Sequence, residues 1–340
     1  MKYLFFCLLS LLALAAHAAG YTEREDVQTF VAEMQARHGF EPEPLMALFD
    51  KTRPVRAVLK AIAPPADPRI RSWRTYRQRF IEPRRIAAGL AFWHRHAATL
   101  AKAEALTGVP AEIIVSIIGI ETIYGKHLGR FDTFAALTTL AFDYPPRADL
   151  FRGELEALLL LARDEGRSPD GYRSSYAGAI GLPQFLPSSI RRYAVDFDGD
   201  GTIDLVDCPD DAIGSVANFL KKHGWETGEP VTLKVSAGEA APEALIAEGI
   251  LPRRRPQEIA AFGIDIPADA PDTPAALIDL VTPDAPTEYW LGYSNFYVIT
   301  RYNRSSFYAM AVVQFAQTLK ERSKDNIKHL SATRPNLAPS

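Results

Sequence analysis

A single carboxylate, Glu121, stands near the end of a stretch that is apolar on nearly every other side. The stretch runs from Pro110, a favoured first helical residue, to Gly125, a favoured residue just past a helix end, and its composition predicts one buried helix. Apolar surroundings and the negative end of the helix dipole both disfavour the anion, so they raise the pKa of Glu121. A carboxylic acid that holds its proton near neutral pH is suited to general acid catalysis. The alternative is a glutamate that points outward or pairs with an arginine.

A second group of carboxylates lies between Asp196 and Asp207. Acidic residues occupy its first, third and fifth positions, glycine the sixth, and Thr202 the seventh, where a backbone carbonyl is the usual ligand. This spacing presents hard oxygen ligands and is typical of an EF-hand-type Ca²⁺ loop. The twelfth residue is Asp207 in place of the usual glutamate, which predicts a weaker site unless Asp210 or Asp211 closes it. A solvated acidic turn is the alternative. The candidate ligands are Asp196, Asp198, Asp200, Thr202, Asp207, Asp210 and Asp211.

Two further segments have compositions that suit a binding groove. The segment 174–187 combines small residues and glycines with Gln184, which favours backbone brought close to a ligand, although a tight packing loop would look the same. Tyr76 lies in an arginine-rich helical segment, 69–80. Its arginines form a solvated face, or they flank aromatic residues that line a sugar groove.

Mainly helical elements must position these residues. Amphipathic patterns predict helices over 25–38, 148–163, 211–223 and 306–320. Between 229 and 290 the chain has nine prolines and short β-rich pieces such as 231–235, which indicate a small mixed or β domain. The predicted fold class is therefore mainly α (α+β).

Composition and the N-terminus limit the possible functions. The chain has 340 residues and a formal net charge of -3, which gives no reason to expect a nucleic-acid partner. Lys2, an apolar run and the Ala16-His17-Ala18 pattern predict a cleaved export signal over 1–19. Because the run is too short for a confident transmembrane helix and no second run follows, we expect a soluble mature protein outside the cytoplasm, without a lipid anchor. Cys208 is then the only cysteine left, so no internal disulfide is expected.

Motifs in chain order carry a resemblance to a known family. They are Glu121-Thr122, Ser175-Tyr176-Ala177-Gly178, the run from Gly181 through Gln184-Phe185 to Pro187-Ser188-Ser189, and Asn295-Phe296-Tyr297 followed by Tyr302-Asn303. With these motifs the chain resembles the lytic murein transglycosylase B family. The match is close over 109–225 and 294–320, and loose in the N-terminal helices and the proline-rich insertion.

The resemblance implies a lysozyme-like helical core that carries the Ca²⁺ loop, flanked by a helical domain and a smaller β-containing one. The expected boundaries are 1–19 for the signal, 20–105 for the N-terminal helical domain, 106–228 for the core, 229–293 for the β-containing insertion, 294–326 for the return segment and C-terminal helix, and 327–340 for a flexible tail. It also implies a periplasmic location, peptidoglycan glycan strands as partner, and structural Ca²⁺ with no organic cofactor.

The implied reaction is cleavage, without water, of the β-1,4 bond between N-acetylmuramic acid and N-acetylglucosamine. Glu121 matches the family's acid/base, which first protonates the leaving oxygen and then helps to close a 1,6-anhydro ring. The matching groove residues are Tyr76, Ser175, Gln184, Phe185, Tyr302, Asn303 and Tyr308. Relatives often carry two arginines after Tyr-Pro; here Pro146 replaces the first, so Arg147 alone predicts a weaker contact to the substrate's peptide or carboxylates. In relatives a later acid closes the Ca²⁺ ring, which favours Asp210 or Asp211 over Asp207.

Two other functions stay open from the residues alone. The first is a muramidase, which uses two carboxylates, here Glu121 with Asp132, Asp143 or Asp149. The second is a Ca²⁺-stabilised peptidoglycan-binding protein in which Glu121 is structural. Ser175 and Asn303 are both candidates for orienting the substrate's N-acetyl group.

Overall fold

The structure is a computed structural model that describes residues 20–64, 72–237 and 242–332. The predicted export signal, with Cys7, and the end of the predicted tail from residue 333 onward lie outside the described residues. Among the residues described, no single helix is long and apolar enough to cross a membrane. One pair of consecutive helices, Ala97–Thr107 and Ala111–Thr122, passes the length and composition test only when joined across a 115° bend.

Helices make up most of the fold, which confirms the mainly α prediction. The α-helices in chain order are α1 Glu25–His38, α2 Pro42–Lys51, α3 Arg56–Ile62, α4 Trp73–Phe80, α5 Pro83–Arg95, α6 Ala97–Thr107, α7 Ala111–Thr122, α8 Thr133–Asp143, α9 Ala148–Asp164, α10 Pro187–Tyr193, α11 Pro209–Lys222, α12 Glu243–Ala247, α13 Pro256–Ala260, α14 Ser294–Thr300 and α15 Ser306–Ala332. Prolines begin several of them, including α5 and α11, where the missing N–H costs no hydrogen bond.

The strands form two small antiparallel sheets. A two-residue pair joins β1 Phe131–Asp132 to β2 Arg173–Ser174. A three-stranded sheet has the order β3-β5-β4, with β3 Thr232–Val235, β4 Ala276–Leu280 and β5 Glu288–Gly292. These three strands fall inside the range 229–293, where the sequence predicted β structure. The sheet has its own small core, which includes Val235, Leu277 and Leu291.

Helix α7 lies at the centre of the main core. It packs against α5, α6, α11 and α15, and every residue from Ala111 to Ile120 except Glu112 is buried. A helix that is apolar on all sides requires neighbours on all sides. The buried Ser116 hydroxyl is satisfied because it donates to the carbonyl of Val312 on α15 at 2.8 Å. The predicted buried helix is therefore confirmed.

The ends of two helices differ from the sequence prediction. Helix α7 ends at Thr122 rather than just before Gly125, because Ile123 and Tyr124 adopt left-handed backbone with φ of 52° and 56°. Helix α15 continues to Ala332, well beyond the predicted end at residue 320. The first difference matters for function, since it fixes how the chain leaves Glu121.

Candidate active site

Glu121 lies in the last turn of α7, as the sequence predicts. Its neighbour Thr122 is fully buried, and the Thr122 hydroxyl donates to the carbonyl of Leu182 at 3.0 Å and accepts from the N–H of Gly125 at 3.1 Å. The sequence analysis gave Thr122 no role. A hydroxyl at the end of an otherwise apolar helix was the available signal, because a buried hydroxyl needs partners.

The Glu121 carboxyl has a tyrosine as its hydrogen-bond partner. The Tyr308 hydroxyl donates to Glu121 Oε1 at 2.6 Å, and no cation forms an ion pair with Glu121 among the described residues. Burial raises the pKa of Glu121 from 4.5 to about 7, and the Tyr308 hydrogen bond, which favours the anion, lowers it in part. Glu121 therefore neither points freely into solvent nor pairs with an arginine, and it is set to titrate near neutral pH.

Tyr302 packs against Tyr308, the hydrogen-bond partner of Glu121. Its ring is nearly parallel to that of Tyr308, with centroids 6.4 Å apart, and its hydroxyl donates to the carbonyl of Pro183 at 2.5 Å. Burial raises the pKa of both tyrosines well above the ordinary value, and the nearby Glu121 adds to the effect. Both hydroxyls therefore stay protonated and act as hydrogen-bond donors.

The segment 174–187 is joined to the end of α7 by the hydrogen bond from Thr122 to Leu182, and its shape is set by its own contacts. The N–H of Ser175 donates to the carbonyl of Ala179, and the Ser175 hydroxyl accepts from the N–H of Ala179 at 3.2 Å, which closes a tight loop. Gln184 has φ of 51° and donates through Nε2 to the carbonyls of Gly181 and Leu128. Ser175 and Gln184 are both partly exposed.

A glycine makes the approach of this loop possible. A Cβ built on Gly129, which has φ of 93°, would lie 2.1 Å from the backbone carbonyl carbon of Ser174 and 2.4 Å from the amide nitrogen of Ser175. A side chain at 129 would push the Ser175 loop away. The sequence analysis did not single out Gly129.

The remaining predicted groove residues are placed in different ways. Phe185 is 2% exposed and packs against Tyr302 and Phe219, so its ring supports Tyr302 from the core and is not open to a sugar. Asn303 is exposed next to Tyr302. Tyr76 on α4 packs on Phe307 with ring centroids 5.6 Å apart and interacts electrostatically with Tyr308.

Arg147 lies in a single 3-10 turn, Pro145–Arg147, and is exposed. Its guanidinium sits over the Phe151 ring at 5.3 Å from the centroid. No contact joins Arg147 to Glu121, Tyr302 or Tyr308 within the described part of the chain. The structure therefore does not bring Arg147 into the group around the acid.

Each carboxylate considered as a second catalytic group is engaged elsewhere. Asp143 binds Arg24 and accepts from the Tyr21 hydroxyl, both at 2.5 Å. Asp132 caps α8 by accepting from the N–H of Ala135 at 2.9 Å. Asp149, whose side chain is 99% exposed, pairs with Arg152 at 3.3 Å. These contacts do not support a two-carboxylate muramidase.

The acidic loop brings its first three candidate ligands together. Carboxylate oxygens of Asp196, Asp198 and Asp200 all lie within 4.8 Å of one another. Asp196 accepts from the N–H groups of Gly199 and Gly201 at 2.7 and 2.9 Å, and Thr202 donates through its hydroxyl to Asp200 at 2.8 Å. This set of hard oxygen donors on a tightly folded loop fits Ca²⁺.

The three candidates for closing the loop have different surroundings. Asp211 is 1% exposed and accepts from the N–H groups of Phe197 and Asp204 at 2.7 and 2.8 Å, so it ties these two residues of the loop to α11. An oxygen of Asp211 lies within 4.8 Å of Asp198. Asp210 instead accepts from the Thr99 hydroxyl at 2.9 Å, and Asp207 is exposed. The structure places neither Asp207 nor Asp210 with the other acids.

Known proteins of similar sequence identify the family of this chain. The family model described as the transglycosylase SLT domain matches residues 22–317. The membrane-bound lytic murein transglycosylase B of Escherichia coli (strain K12) is 40% identical over 308 residues, which cover 88% of this chain and 84% of that protein.

Solved structures give the same result. The soluble lytic transglycosylase SltB1 of Pseudomonas aeruginosa is 49% identical, with a TM-score of 0.81 over 87% of this chain and 99% of that chain. The Escherichia coli lytic transglycosylase Slt35 in complex with calcium is 40% identical, with a TM-score of 0.77 over 87% and 93%. SltB3 of Pseudomonas aeruginosa in complex with NAG-NAM-pentapeptide is 29% identical, with a TM-score of 0.74 over 87% and 79%. Because the family model and the relatives span most of its length, this chain belongs to the transglycosylase SLT domain family and is a peptidoglycan lytic transglycosylase, a lyase that acts on polysaccharides.

Proposed function

We propose that Glu121 catalyses the whole reaction, first as acid and then as base, and that the product carries a 1,6-anhydromuramic acid end. The observation that carries this proposal is the Glu121 carboxyl at the end of a buried helix, which accepts a hydrogen bond from the Tyr308 hydroxyl at 2.6 Å and pairs with no cation of the described residues. Burial raises the pKa of this carboxyl to about 7. A group that titrates near the working pH can both give and accept a proton.

In the first step the bond between C1 of the muramic residue and the leaving oxygen breaks. The proton of Glu121 passes to that oxygen, and the developing positive charge at C1 is stabilised by the substrate's own N-acetyl carbonyl. A second carboxylate is then not needed, which agrees with the engagement of Asp132 and Asp143 elsewhere. The Tyr308 hydroxyl stabilises the Glu121 anion that is left.

In the second step the muramic 6-hydroxyl attacks C1. A bond forms between O6 and C1, and the proton of that hydroxyl passes to Glu121, which restores the acid without consuming water. The Ser175 hydroxyl accepts from Ala179 but keeps its own proton, so it is suited to orient the N-acetyl group. Asn303, exposed beside Tyr302, is the other candidate.

Mass spectrometry of digested murein tests the proposal. Wild-type protein should release anhydro ends, and Glu121→Gln should release none while it stays folded. Asp149→Asn, which changes an exposed acid, is the matched control and should keep its activity. Reducing ends would instead indicate a muramidase, and intact glycan with tight binding would indicate a binding protein.

We also propose that the acidic loop holds Ca²⁺ in a structural role. Asp196, Asp198 and Asp200, together with the carbonyl of Thr202, would hold the ion, and Asp211 is better placed than Asp207 or Asp210 to complete the site. The ion would neutralise carboxylates that otherwise repel one another. Export to the periplasm belongs to the same proposal, because peptidoglycan lies outside the cytoplasm.

A further inference from the structure

The residue that follows the acid, Thr122, is held in place by its side chain. It is 0% exposed, and its hydroxyl donates to the carbonyl of Leu182 at 3.0 Å, a shorter contact than the 3.3 Å to the carbonyl of Ile118 on α7 itself. The same oxygen accepts from the N–H of Gly125 at 3.1 Å. Because Thr122 is fully buried, it does not touch a glycan strand, and any part that it has in the reaction acts through Glu121.

The backbone after Thr122 needs contacts of this kind. Ile123 has φ of 52°, which is unfavourable for a β-branched residue and persists only where surrounding contacts hold it. The Thr122 hydroxyl supplies one such contact through Gly125, and the Thr122 carbonyl accepts from the N–H of His127 at 3.0 Å. Contacts of Thr122 therefore close the last turn of α7, which carries Glu121.

The acceptor of the Thr122 hydroxyl is itself fixed. Leu182 is 4% exposed, and its N–H donates to the carbonyl of Leu205 at 2.7 Å. A Cβ on Gly181, which has φ of 74°, would lie 2.4 Å from the same carbonyl oxygen, so the two backbones are in close contact. Thr122 thus ties the end of α7 to backbone that the core holds in place.

The hydrogen-bond donor of Glu121 is positioned by a different contact. Tyr308 belongs to α15, and about one turn further along this helix the carbonyl of Val312 accepts from the Ser116 hydroxyl of α7 at 2.8 Å. This bond fixes α15 against the middle of α7. The 2.6 Å contact between the Tyr308 hydroxyl and Glu121 Oε1 therefore depends on two ties. Ser116 places the donor, and Thr122 places the acceptor.

Few charged or titratable groups face Glu121. Its charge raises the pKa values of Tyr302 and Tyr308, and its own pKa responds to burial and to the Tyr308 hydrogen bond. Arg85 of α5 acts on Tyr124 instead, and among the described residues no ion pair reaches Glu121 from α5, α6 or α11. A displacement of Glu121 would therefore alter its pKa mainly through the bond to Tyr308.

We propose that Thr122 is a positioning residue for the reaction, whose hydroxyl holds the last turn of α7 so that the Glu121 carboxyl meets the Tyr308 hydroxyl. The inference rests on the proposed function, in which Glu121 is the acid and then the base. Without the Thr122 hydroxyl, Glu121 should move away from its donor and from the leaving oxygen. Small displacements of a reacting group have large effects on rate.

Three variants separate positioning from stability. Thr122→Val keeps the branched shape of the side chain and removes the hydroxyl, whereas Thr122→Ser keeps the hydroxyl. Thr139→Val is the matched control, because Thr139 of α8 is also 0% exposed, donates to the carbonyl of Ala135 at 2.8 Å and accepts from the N–H of Val55 at 3.0 Å. The measurements are kcat, KM and the pH profile of kcat/KM on soluble glycan strands, at a temperature at which circular dichroism shows each variant to be folded.

We expect Thr122→Val to lower kcat at least about tenfold and to leave KM unchanged. Its alkaline limb should move up by about 0.5 to 1 pH unit, because Glu121 loses part of the hydrogen bond that favours its anion. In the Tyr308→Phe background, where that bond is already absent, Thr122→Val should move the limb no further. Thr122→Ser should have the kcat and the limb of the wild type, and Thr139→Val should change only the Tm.

A folded Thr122→Val with the kcat and the alkaline limb of the wild type would overturn the inference. Thr122→Ser as impaired as Thr122→Val, or Thr139→Val with the same kinetic effects, would also overturn it. If Thr122→Val does not fold, Thr122→Cys takes its place, because a thiol is only a weak donor; an unchanged kcat and limb would again refute the role. Failure of the proposed function looks different, because Glu121→Gln would then keep its activity or the wild type would release no anhydro ends.

Discussion

Replacing Glu121 by glutamine should stabilise the fold at alkaline pH while it removes activity. Burial raises the pKa of Glu121 from 4.5 in the unfolded chain to about 7 in the folded protein. The pKa of Glu121 thus differs by about 2.5 between the two states. Since a pKa difference of 1 corresponds to 1.36 kcal/mol, this is a free-energy difference of about 3 kcal/mol. This is the free energy that the folded protein loses when it carries an ionised Glu121, and the neutral amide avoids it.

The sign of the pH dependence follows from the order of the two pKa values. Below pH 4.5 the carboxyl is protonated in both states, so wild type and variant should be equally stable. Between pH 4.5 and about 7 the unfolded wild type releases a proton that the folded protein keeps, so the stability of the wild type falls as pH rises. Above about pH 7 the difference between the two proteins should be constant.

Denaturant unfolding of both proteins between pH 4 and pH 9 measures this difference. Asp149→Asn removes an acid whose side chain is 99% exposed, so its effect on the free energy of unfolding should stay small and flat over the same range. If the difference in the free energy of unfolding between Glu121→Gln and the wild type did not change with pH, the assigned pKa would be refuted. The same holds if the variant were less stable than the wild type at pH 8. Either result would also remove the argument for Glu121 as a neutral acid.

Three further predictions test other parts of the site. Tyr308→Phe removes the hydrogen bond that favours the Glu121 anion, so the alkaline limb of the kcat/KM profile should move up by about 1 to 2 pH units, whereas Tyr302→Phe should leave it in place. Chelation of Ca²⁺ should lower the Tm of the wild type, because the ion stabilises the fold by about 2.7 kcal/mol at a hundredfold excess over Kd. Asp200→Ala should abolish this sensitivity to the chelator. A wild-type Tm that changes neither with Ca²⁺ nor with the chelator would contradict the metal site. Gly119→Ala places a Cβ 2.3 Å from the Tyr124 hydroxyl and should cost about 1–3 kcal/mol, whereas Gly153→Ala, with open space around it, should not destabilise the protein.

The sequence predicted α7 and its acid because the signals are local. A dense apolar run with one carboxylate near its end can be recognised without knowledge of the neighbouring helices. The predicted end of α7 was wrong because a contact with another helix decides where α7 ends. The Tyr124 ring inserts between α5 and α7, stacks on Phe92 with centroids 4.9 Å apart, and lies where a Cβ on Gly89 or Gly119 would collide with it. This packing holds Ile123 and Tyr124 in left-handed backbone, which no local preference of either residue favours.

In the functional site, too, local features could be predicted from the sequence and contacts between distant residues could not. The Asp196 loop follows a fixed local spacing, so its first three acids could be predicted to meet, and they do. The contact between Tyr308 and Glu121 joins residues 187 positions apart, and periodicity carries no information about such a pair. Family resemblance named Tyr308, but only the structure gives it a partner. Resemblance also named Phe185, whose ring the structure places in the core.

The acidic loop and the acid are parts of one hydrogen-bonded framework. Within the loop the N–H of Asp204 donates to Asp211, and the carbonyl of the next residue, Leu205, accepts from the N–H of Leu182 at 2.7 Å. The carbonyl of Leu182 in turn accepts from the hydroxyl of Thr122, the residue that follows Glu121. This framework connects an ion that keeps the loop folded to the backbone around Thr122, and not directly to the Glu121 carboxyl. This is why we expect Asp200→Ala to retain activity at low temperature, where the framework stays folded without the ion. Loss of turnover in fully folded, Ca²⁺-free protein would show that the ion has a direct part in the chemistry.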